Sequence, residues 1–287
     1  ALGGAGFAAH QQGPLLLTTP NALPQETLDE LKRVLPGGGT IYVLGGTSAV
    51  SDGVARQLAK LGYTVTRFGG SDRYDTALKI AKQGLGDPGH VILATGLDYA
   101  DALAAGPFAA GTAAGADGQP AAILLTDGKQ MDPATAAYAA AKARGSSAGA
   151  PSVYAVGGPA VKAAASLPGF VKGFSGLDRY DTSFLVARYF FGAADAAGLA
   201  TGMNWADALS GGAEMGTENG PLLLVNPAPG AQLPAGAAKW LGQDAGQFNR
   251  VEIFGGTAAV PATVDKMVGG LIAGPGGVDY SSNPHVG

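Results

Sequence analysis

The chain has 287 residues, which is enough for one large domain or two to three small ones. Hydrophobic residues make up 46% of it and charged residues only 14%, so a core can form. A net charge of −4 without a basic cluster excludes the electrostatic pattern of nucleic-acid binding. The absence of cysteine excludes disulfides, thiolate zinc sites and a cysteine nucleophile.

The predicted strands are short apolar runs, each followed by glycine or aspartate and then by a helical pattern. In chain order they are residues 40–44, 91–94, 121–126, 152–156, 221–225 and 250–254. Runs that are apolar on both sides indicate strands buried on both faces of a parallel sheet. Their alternation with helices predicts an α/β fold of tandem three-layer units with short parallel sheets. No membrane insertion is expected, because Asp98 and Asp101 interrupt the longest Ala-rich segment.

The chain repeats itself. The run Asp72-Arg73-Tyr74-Asp75-Thr76 returns 106 residues later, as Asp178 to Thr182 (178 − 72 = 106). The Thr-Gly pair at 95–96 and the Ala-Asp-Ala-Leu run at 100–103 return with the same offset, at 201–202 and 206–209. Leucine-rich triplets occur at 15–17, 123–125 and 222–224, and Gly-Gly pairs at 45–46, 157–158 and 255–256. The constant offset of the first motifs and the similar spacing of the others indicate a structural unit of about a hundred residues.

The repeat sets the predicted boundaries. Residues 1–66 match only the second half of a unit, residues 67–173 form one complete unit, and residues 174–287 form another with a C-terminal tail. Asp279-Tyr280 falls about where a further unit would begin, but it lacks the arginine. No signal peptide is predicted, because no basic stretch precedes an apolar one at the start.

The combination of the Gly-Gly, Asp-Arg-Tyr, Ala-Asp-Ala-Leu and Pro-Leu-Leu-Leu motifs resembles the type 2 cell wall binding repeat of Gram-positive surface proteins. The resemblance covers almost the whole chain, which departs from the usual three repeats by carrying about two and a half. It implies repeats packed around a pseudo-threefold axis that bind anionic secondary wall polymers without a covalent bond. It also associates the leucine strand with the polymer, which makes Leu16, Leu124 and Leu223 candidate binding residues.

Arg73 and Arg179 each lie between an acid and a tyrosine, Tyr74 or Tyr180. A planar guanidinium suits the phosphate or carboxylate of a polymer. The alternative is structural: the arginine pairs with a nearby aspartate, for which the acids on either side are ready partners, and the tyrosine packs and caps the next helix. Both interpretations stay open, because a positioned arginine can keep donors free.

Asp101 and Asp207 follow a strand and begin an Ala-rich helix, preceded by Tyr99 and Trp205. The acids are predicted either to cap the helix or to place a polar group at a crevice where the strands end. The aromatic residues are predicted either to offer a platform for a sugar ring or to pack on the loop. The Gly-Gly pairs lack a nucleotide-binding spacing and indicate tight turns, with anion binding at the helix start as the alternative.

No catalytic constellation is predicted, and His10, His90 and His285 neither cluster nor recur. We expect no cofactor and no metal. The sequence predicts a non-catalytic module that anchors an exported protein at the cell wall or surface, with an anionic wall polysaccharide or teichoic-acid-like polymer as partner. One alternative is a structural surface protein whose partial repeat is completed by a neighbouring chain in a filament or array. Another is a nucleotide- or sugar-dependent enzyme on the same scaffold.

Overall fold

The computed structural model describes residues 2–111, 118–228, 230, 232–243 and 248–272. The predictions at Asp279, Tyr280 and His285 lie outside these ranges. None of the helices within the ranges is both long and apolar enough to span a lipid bilayer.

Short strands alternate with helices along the described chain. The strands are β1 (Thr40–Leu44), β2 (Thr64–Phe68), β3 (His90–Thr95), β4 (Ala121–Thr126), β5 (Val153–Val156), β6 (Lys172–Phe174), β7 (Ala196–Thr201), β8 (Leu222–Val225) and β9 (Arg250–Phe254). The α-helices are α1 (Gly4–His10), α2 (Gln25–Val34), α3 (Asp52–Lys60), α4 (Arg73–Lys79), α5 (Ala100–Ala105), α6 (Pro133–Ala143), α7 (Gly158–Ala164), α8 (Arg179–Phe190), α9 (Ala206–Thr217), α10 (Ala235–Gln243) and α11 (Ala262–Ile272). A π-helical turn, Ile80–Gly84, extends α4, and a 3₁₀ turn, Phe108–Ala110, follows α5.

The strands form three parallel sheets, with the orders β1-β2, β4-β3-β5-β6 and β8-β7-β9. The register repeats between units: Leu93 of β3 pairs with Leu124 of β4, and Leu199 of β7 pairs with Leu223 of β8. Helices pack on these sheets, with α5, α6 and α7 all contacting β3. The predicted tandem three-layer α/β fold with short parallel sheets is confirmed.

Burial follows the prediction for some strands only. Every residue of β4, β5, β7 and β8 is buried. The prediction is wrong for β1 and β9, which expose Tyr42 and Ile253. For β1 the reason is that it belongs to a two-stranded sheet. Strand β9 is an outer strand, as β8 is, but helix packing covers β8 more completely, chiefly through α8.

The leucine triplet of the partial repeat behaves differently from the other two. Residues 14–17 form no strand, although 121–126 and 222–225 do. In both complete units the leucine strand pairs with the strand before it, β3 or β7. Among the described residues no such strand lies beside residues 14–17, so this segment has no ladder to join.

Helix α9 packs on both α1 and α5, and α1 packs on the 3₁₀ turn that follows α5, so the equivalent segments of the three repeats contact one another as packing around a pseudo-threefold axis requires. Small residues permit this approach. A Cβ placed on Gly216 of α9 would come within 2.9 Å of the Cβ of Ala9 and within 3.1 Å of that of Ala110. Glycine here lets the helix backbones come closer than any side chain would allow.

Candidate functional site

The repeated motifs meet at one edge of the sheets, where β3 and β7 end. Each strand leads into a four-residue loop, Gly96–Tyr99 or Gly202–Trp205, which we call the TG loops. The turn is built identically in both: the hydroxyl of Thr95 accepts from the amide of Leu97, and that of Thr201 from the amide of Met203, each at 3.2 Å. The carboxyl ends of parallel strands are where open α/β sheets bind ligands.

The Asp-Arg-Tyr motif begins a helix at this edge. Asp72 is the N-cap of α4: its Oδ1 accepts from the amides of Tyr74 and Asp75, both at 2.9 Å. Asp178 caps α8 with the same two bonds. The helix cap is thus the aspartate, and the interpretation that the tyrosine caps the helix is wrong. A short carboxylate reaches the free amides of the first turn, whereas a phenol ring does not.

Asp75 is not a partner of Arg73 either. It accepts a hydrogen bond from the amide of Ser71 at 2.9 Å and pairs with Lys79 at 3.3 Å. The flanking acids are therefore not the partners, and the interpretation that the arginine pairs with a nearby aspartate holds only for Arg179, through Asp98. Both acids are used by the helix start, which leaves the guanidinium to point across to the TG loop.

Arg179 joins two units. Its Nη1 donates to the carbonyl of Gly202 at 2.7 Å, and its Nη2 pairs with Oδ2 of Asp98 at 3.2 Å. The guanidinium carbon lies 5.8 Å from the ring centroid of Tyr99. The hydroxyl of Tyr99 in turn donates to the carbonyl of Met203 at 2.7 Å. These contacts connect the TG loop of one complete unit to the helix and loop of the next.

Arg73 makes the first of these contacts but not the second. Its Nη1 donates to the carbonyl of Gly96, the equivalent of Gly202. Within the described ranges no carboxylate forms an ion pair with it, and the residue is exposed. Arg73 is therefore the freer of the two cations, with donors available to an anion.

Tyr74 and Tyr180 pack against the glycines of the TG loops. A Cβ placed on Gly202 would come within 2.6 Å of Cε1 of Tyr180, and one on Gly96 within 3.1 Å of Cε1 of Tyr74. Both tyrosines are half-buried, and burial raises the pKa of Tyr180 above its ordinary value. These rings hold the loops in place.

Asp101 and Asp207 lie in the first turns of α5 and α9 but do not cap them, because the N-cap positions are Tyr99 and Trp205. The carboxylates lie instead against Gly157 and Gly255, where a Cβ would overlap them. Both glycines have left-handed backbones, with φ of 89° and 107°. Burial raises the pKa of Asp101 to about 6, Asp98 adds to the rise and Arg179 opposes it. These acids fix the position of the Gly-Gly turns.

The edge carries exposed apolar side chains, of which Trp205 is a candidate from the sequence, whereas Leu97, Met203 and Leu177 were not singled out there. The exposed fractions are 43% for Trp205, 59% for Met203, 70% for Leu97 and 99% for Leu177. We call this surface, with Arg73, Arg179 and Tyr99, the rim. The signal that could have found Leu97 and Met203 is their shared position, 106 residues apart, directly after each Thr-Gly pair. Asp98 gave no such signal, because Asn204 stands at the equivalent place.

The leucine candidates lie away from the rim. Leu124 and Leu223 are fully buried, and Leu16 is half-buried against a cluster that includes Leu31 and Val54. The outer edge of β8 is covered by α8, whose Ser183 accepts a hydrogen bond from the amide of Leu224 at 3.0 Å. Leu124 and Leu223 therefore offer no free surface and can act on a ligand only by positioning the loops after their strands.

The fold and the rim together define a tandem α/β repeat protein in which one loop-and-helix junction recurs in each complete unit. The chain belongs to the cell wall binding domain 2 family, whose model matches residues 1–55, 67–165 and 174–265. It is accordingly a cell-wall-binding module, of the kind found in cell wall and surface proteins.

Relatives agree with this assignment. The chain is 29% identical over 277 residues to the N-acetylmuramoyl-L-alanine amidase LytC of Bacillus subtilis, covering 96% of this chain and 51% of that protein. It is 27% identical over 268 residues to the amidase enhancer of the same species, covering 91% of this chain and 34% of that protein. The chain thus spans about half or less of the length of these two relatives.

Two solved structures share the fold. Cwp8 of Clostridium difficile superposes with a TM-score of 0.77 at 23% identity, covering 94% of this chain and 45% of that one. Cwp6 of Clostridium difficile gives a TM-score of 0.71 at 22% identity, covering 89% of this chain and 39% of that one.

Proposed function

We propose that the chain is a non-catalytic anchor that holds an exported protein on an anionic secondary wall polymer through the rim. The observation that carries this proposal is the recurrence of one junction in both complete units: an arginine at the start of a helix donates to a TG loop beside exposed apolar side chains. A single active site has no need of such repetition, whereas a polymer with repeating units does. Weak contacts at equivalent sites then add through effective concentration.

The two kinds of side chain on the rim suit the two parts of an acidic polysaccharide. The guanidinium of Arg73 matches a phosphate or carboxylate. The exposed faces of Trp205 and Met203 match the apolar face of a sugar ring. Local cations of this kind explain how a chain of net charge −4 can take an anionic ligand.

The remaining candidates act by positioning. Tyr74 and Tyr180 hold the TG loops through Gly96 and Gly202, and Asp101 and Asp207 hold the Gly-Gly turns. Leu124 and Leu223 hold the strands beside β3 and β7. Substitution of these residues would affect binding together with folding, whereas substitution of Arg73 or Trp205 would affect binding more than folding.

The test is co-sedimentation of the purified chain with Gram-positive cell walls, before and after mild acid extraction of their secondary polymers. Binding that is lost on extraction and restored by the isolated polymer is the expected result. Equal binding to extracted walls would assign the contact to peptidoglycan and overturn the proposed polymer. Failure to bind any wall preparation, with intact folding, would overturn the anchor function itself.

A second candidate function is assembly between copies of this chain. Within the described residues β1 pairs with β2 only, whereas the equivalent strand β5 has a neighbour on each side. The free edge of β1 could accept an added parallel strand from a second molecule. Light scattering after size exclusion tests this: growth of mass with concentration would support assembly, and a monomer at every concentration would contradict it.

A further inference from the structure

A separate cleft of about 420 Å³ lies in the second unit, away from the TG loops. Its lining residues are Lys82, Asp87, Tyr138, Ala141 and Lys142. None of these belongs to the repeated motifs, so the rim and the anchor function leave the cleft unexplained.

Three elements bring its charges together. Lys82 is on the π-helical turn that extends α4, and Lys142 follows Tyr138 by one turn of α6. Asp87 lies between that turn and β3 and has a left-handed backbone with φ of 65°, which aspartate tolerates better than most residues.

Both lysines lie against the ring of Tyr138. The Nζ of Lys82 is 5.5 Å from the ring centroid and that of Lys142 is 5.2 Å from it. Such contacts position an ammonium group and leave its hydrogen-bond donors free. Tyr138 itself is buried, so the ring provides a fixed platform for two cations.

The two ammonium groups differ in their partners. Lys142 pairs with Oδ1 of Asp87 at 3.1 Å and donates to its carbonyl at 3.4 Å. Lys82 makes no ion pair or hydrogen bond with the residues that the structure describes. The Tyr138 hydroxyl faces the Asp87 carboxylate without a hydrogen bond of standard geometry, and its proximity and that of Lys142 lower the pKa of Asp87. At neutral pH the cleft thus holds two positive charges and one negative charge.

The offset of 106 residues shows which features of the cleft recur in the next unit and which do not. It takes Lys82 to Arg188, which lies 5.9 Å from the ring centroid of Trp240, so a cation over an aromatic ring recurs in the third unit. It takes Asp87 to Ala193, which has no charge. The cation–ring contact is therefore common packing, whereas the charged cleft is a feature of the second unit.

We propose that the Lys82–Lys142 cleft binds a singly charged oxyanion, a phosphodiester or a carboxylate carried by an acidic polymer or its fragments. The net charge of the cleft is +1, which matches a monoanion. Lys82 offers an ammonium group with no protein acceptor among the described residues. The site adds a second point of contact for the proposed polymer class. This proposal rests on the proposed function only for the natural source of the anion, because small monoanions test binding to the cleft directly.

The experiment is an NMR titration of the isotope-labelled chain with dimethyl phosphate in one arm and acetate in the other, at low ionic strength. We expect saturable shifts at the amides of Asp87 and Lys142 that weaken as salt is added. Tighter binding of dimethyl phosphate would assign a phosphodiester, and tighter binding of acetate a carboxylate. No saturable shift in either arm would overturn the proposal and leave wall co-sedimentation unaffected.

Three variants sharpen the titration. Lys82→Gln should weaken binding roughly fivefold or more, because it removes one charge close to the anion. The matched control Lys162→Gln, an exposed lysine on α7, should leave the affinity unchanged. Asp87→Asn should tighten binding, because it removes the carboxylate that competes for Lys142. Unchanged affinity in Lys82→Gln, or weaker binding in Asp87→Asn, would contradict the assignment.

Discussion

The guanidinium of Arg179 pairs with the carboxylate of Asp98 at 3.2 Å, although 81 residues separate them in the chain. The pair crosses the boundary between the two complete units, and Tyr99 reinforces it through its hydrogen bond to Met203. The junction between units is thus held partly by polar side chains at the same edge where a ligand is proposed to bind.

Breaking this pair should loosen the junction by a small amount. Both side chains are partly exposed, 29% for Arg179 and 48% for Asp98, so we expect a coupling of about 0.5 kcal/mol after solvent screening. A double-mutant cycle of Arg179→Gln and Asp98→Ala, measured by urea unfolding, gives this value. Strict additivity of the two single variants would show that the pair contributes nothing.

The two arginines should differ in function. Arg73→Gln should reduce wall co-sedimentation and lower the melting temperature only slightly, because it removes the hydrogen bond to the Gly96 carbonyl but breaks no ion pair among the described residues. Arg179→Gln should lower the melting temperature more, since it also breaks the link to Asp98. Arg144→Gln is the matched control, an exposed arginine at the end of α6. Equal wall binding by Arg73→Gln and the control would remove Arg73 from the site.

Gly202→Ala should disturb the TG loop. The added methyl would come within 2.6 Å of the Tyr180 ring, and such overpacking costs about 1–3 kcal/mol of unfolding free energy. Gly256→Ala is the matched control, because a Cβ there meets no atom within 4 Å. Urea unfolding of the two variants measures the difference, and equal stability would show that the ring moves aside freely.

Phe190→Ala should strongly weaken the contact between the complete units. Phe190 of α8 is fully buried, and its ring stacks on that of Phe108 with centroids 3.5 Å apart. Removal of a buried aromatic ring costs about 3–5 kcal/mol through lost burial and the cavity left behind. Tyr189→Ala, at the exposed neighbouring position, should cost less. Urea unfolding measures both variants. A loss of unfolding free energy in Phe190→Ala that is no greater than in Tyr189→Ala would contradict the packing described.

Asp101 should make stability depend on pH. Its pKa is raised to about 6 in the folded chain from an ordinary value of 3.8, chiefly by burial, so the folded state binds the proton more tightly than the unfolded state. Stability should therefore fall as the pH rises from the ordinary value to the raised one. Asp101→Asn, which carries no charge, should remove this slope and be more stable at neutral pH by about 1 kcal/mol.

Melting curves of both proteins across this pH range provide the measurement. The two should converge at the acidic end, where Asp101 is protonated in either state. An unchanged slope in the variant would assign the pH dependence to another group.

The sequence by itself determined the fold class and the family. Repetition at one offset identified the unit, and apolar runs between turn residues located six strands, because both signals are local properties of the chain. Strands β2, β6 and β7 were not among them. The Ala- and Gly-rich β7 has low strand propensity and is stabilised by its burial and by pairing with β8 and β9. The predicted unit boundaries and polymer-binding residues remain predictions.

Only the tertiary structure decided what each repeated side chain does. The sequence places Arg73 and Arg179 among nearby acids, yet those acids cap and brace the helix, and Arg179 reaches Asp98 in another unit. The leucine triplets look alike, but two are buried strands and the third forms no strand. Local patterns indicate which elements can form, but a strand also needs a neighbouring strand to pair with, and residues 14–17 have none among the described residues. The partners of a side chain depend on which elements pack together, because contacts across units are set by distance in space and not by separation along the chain.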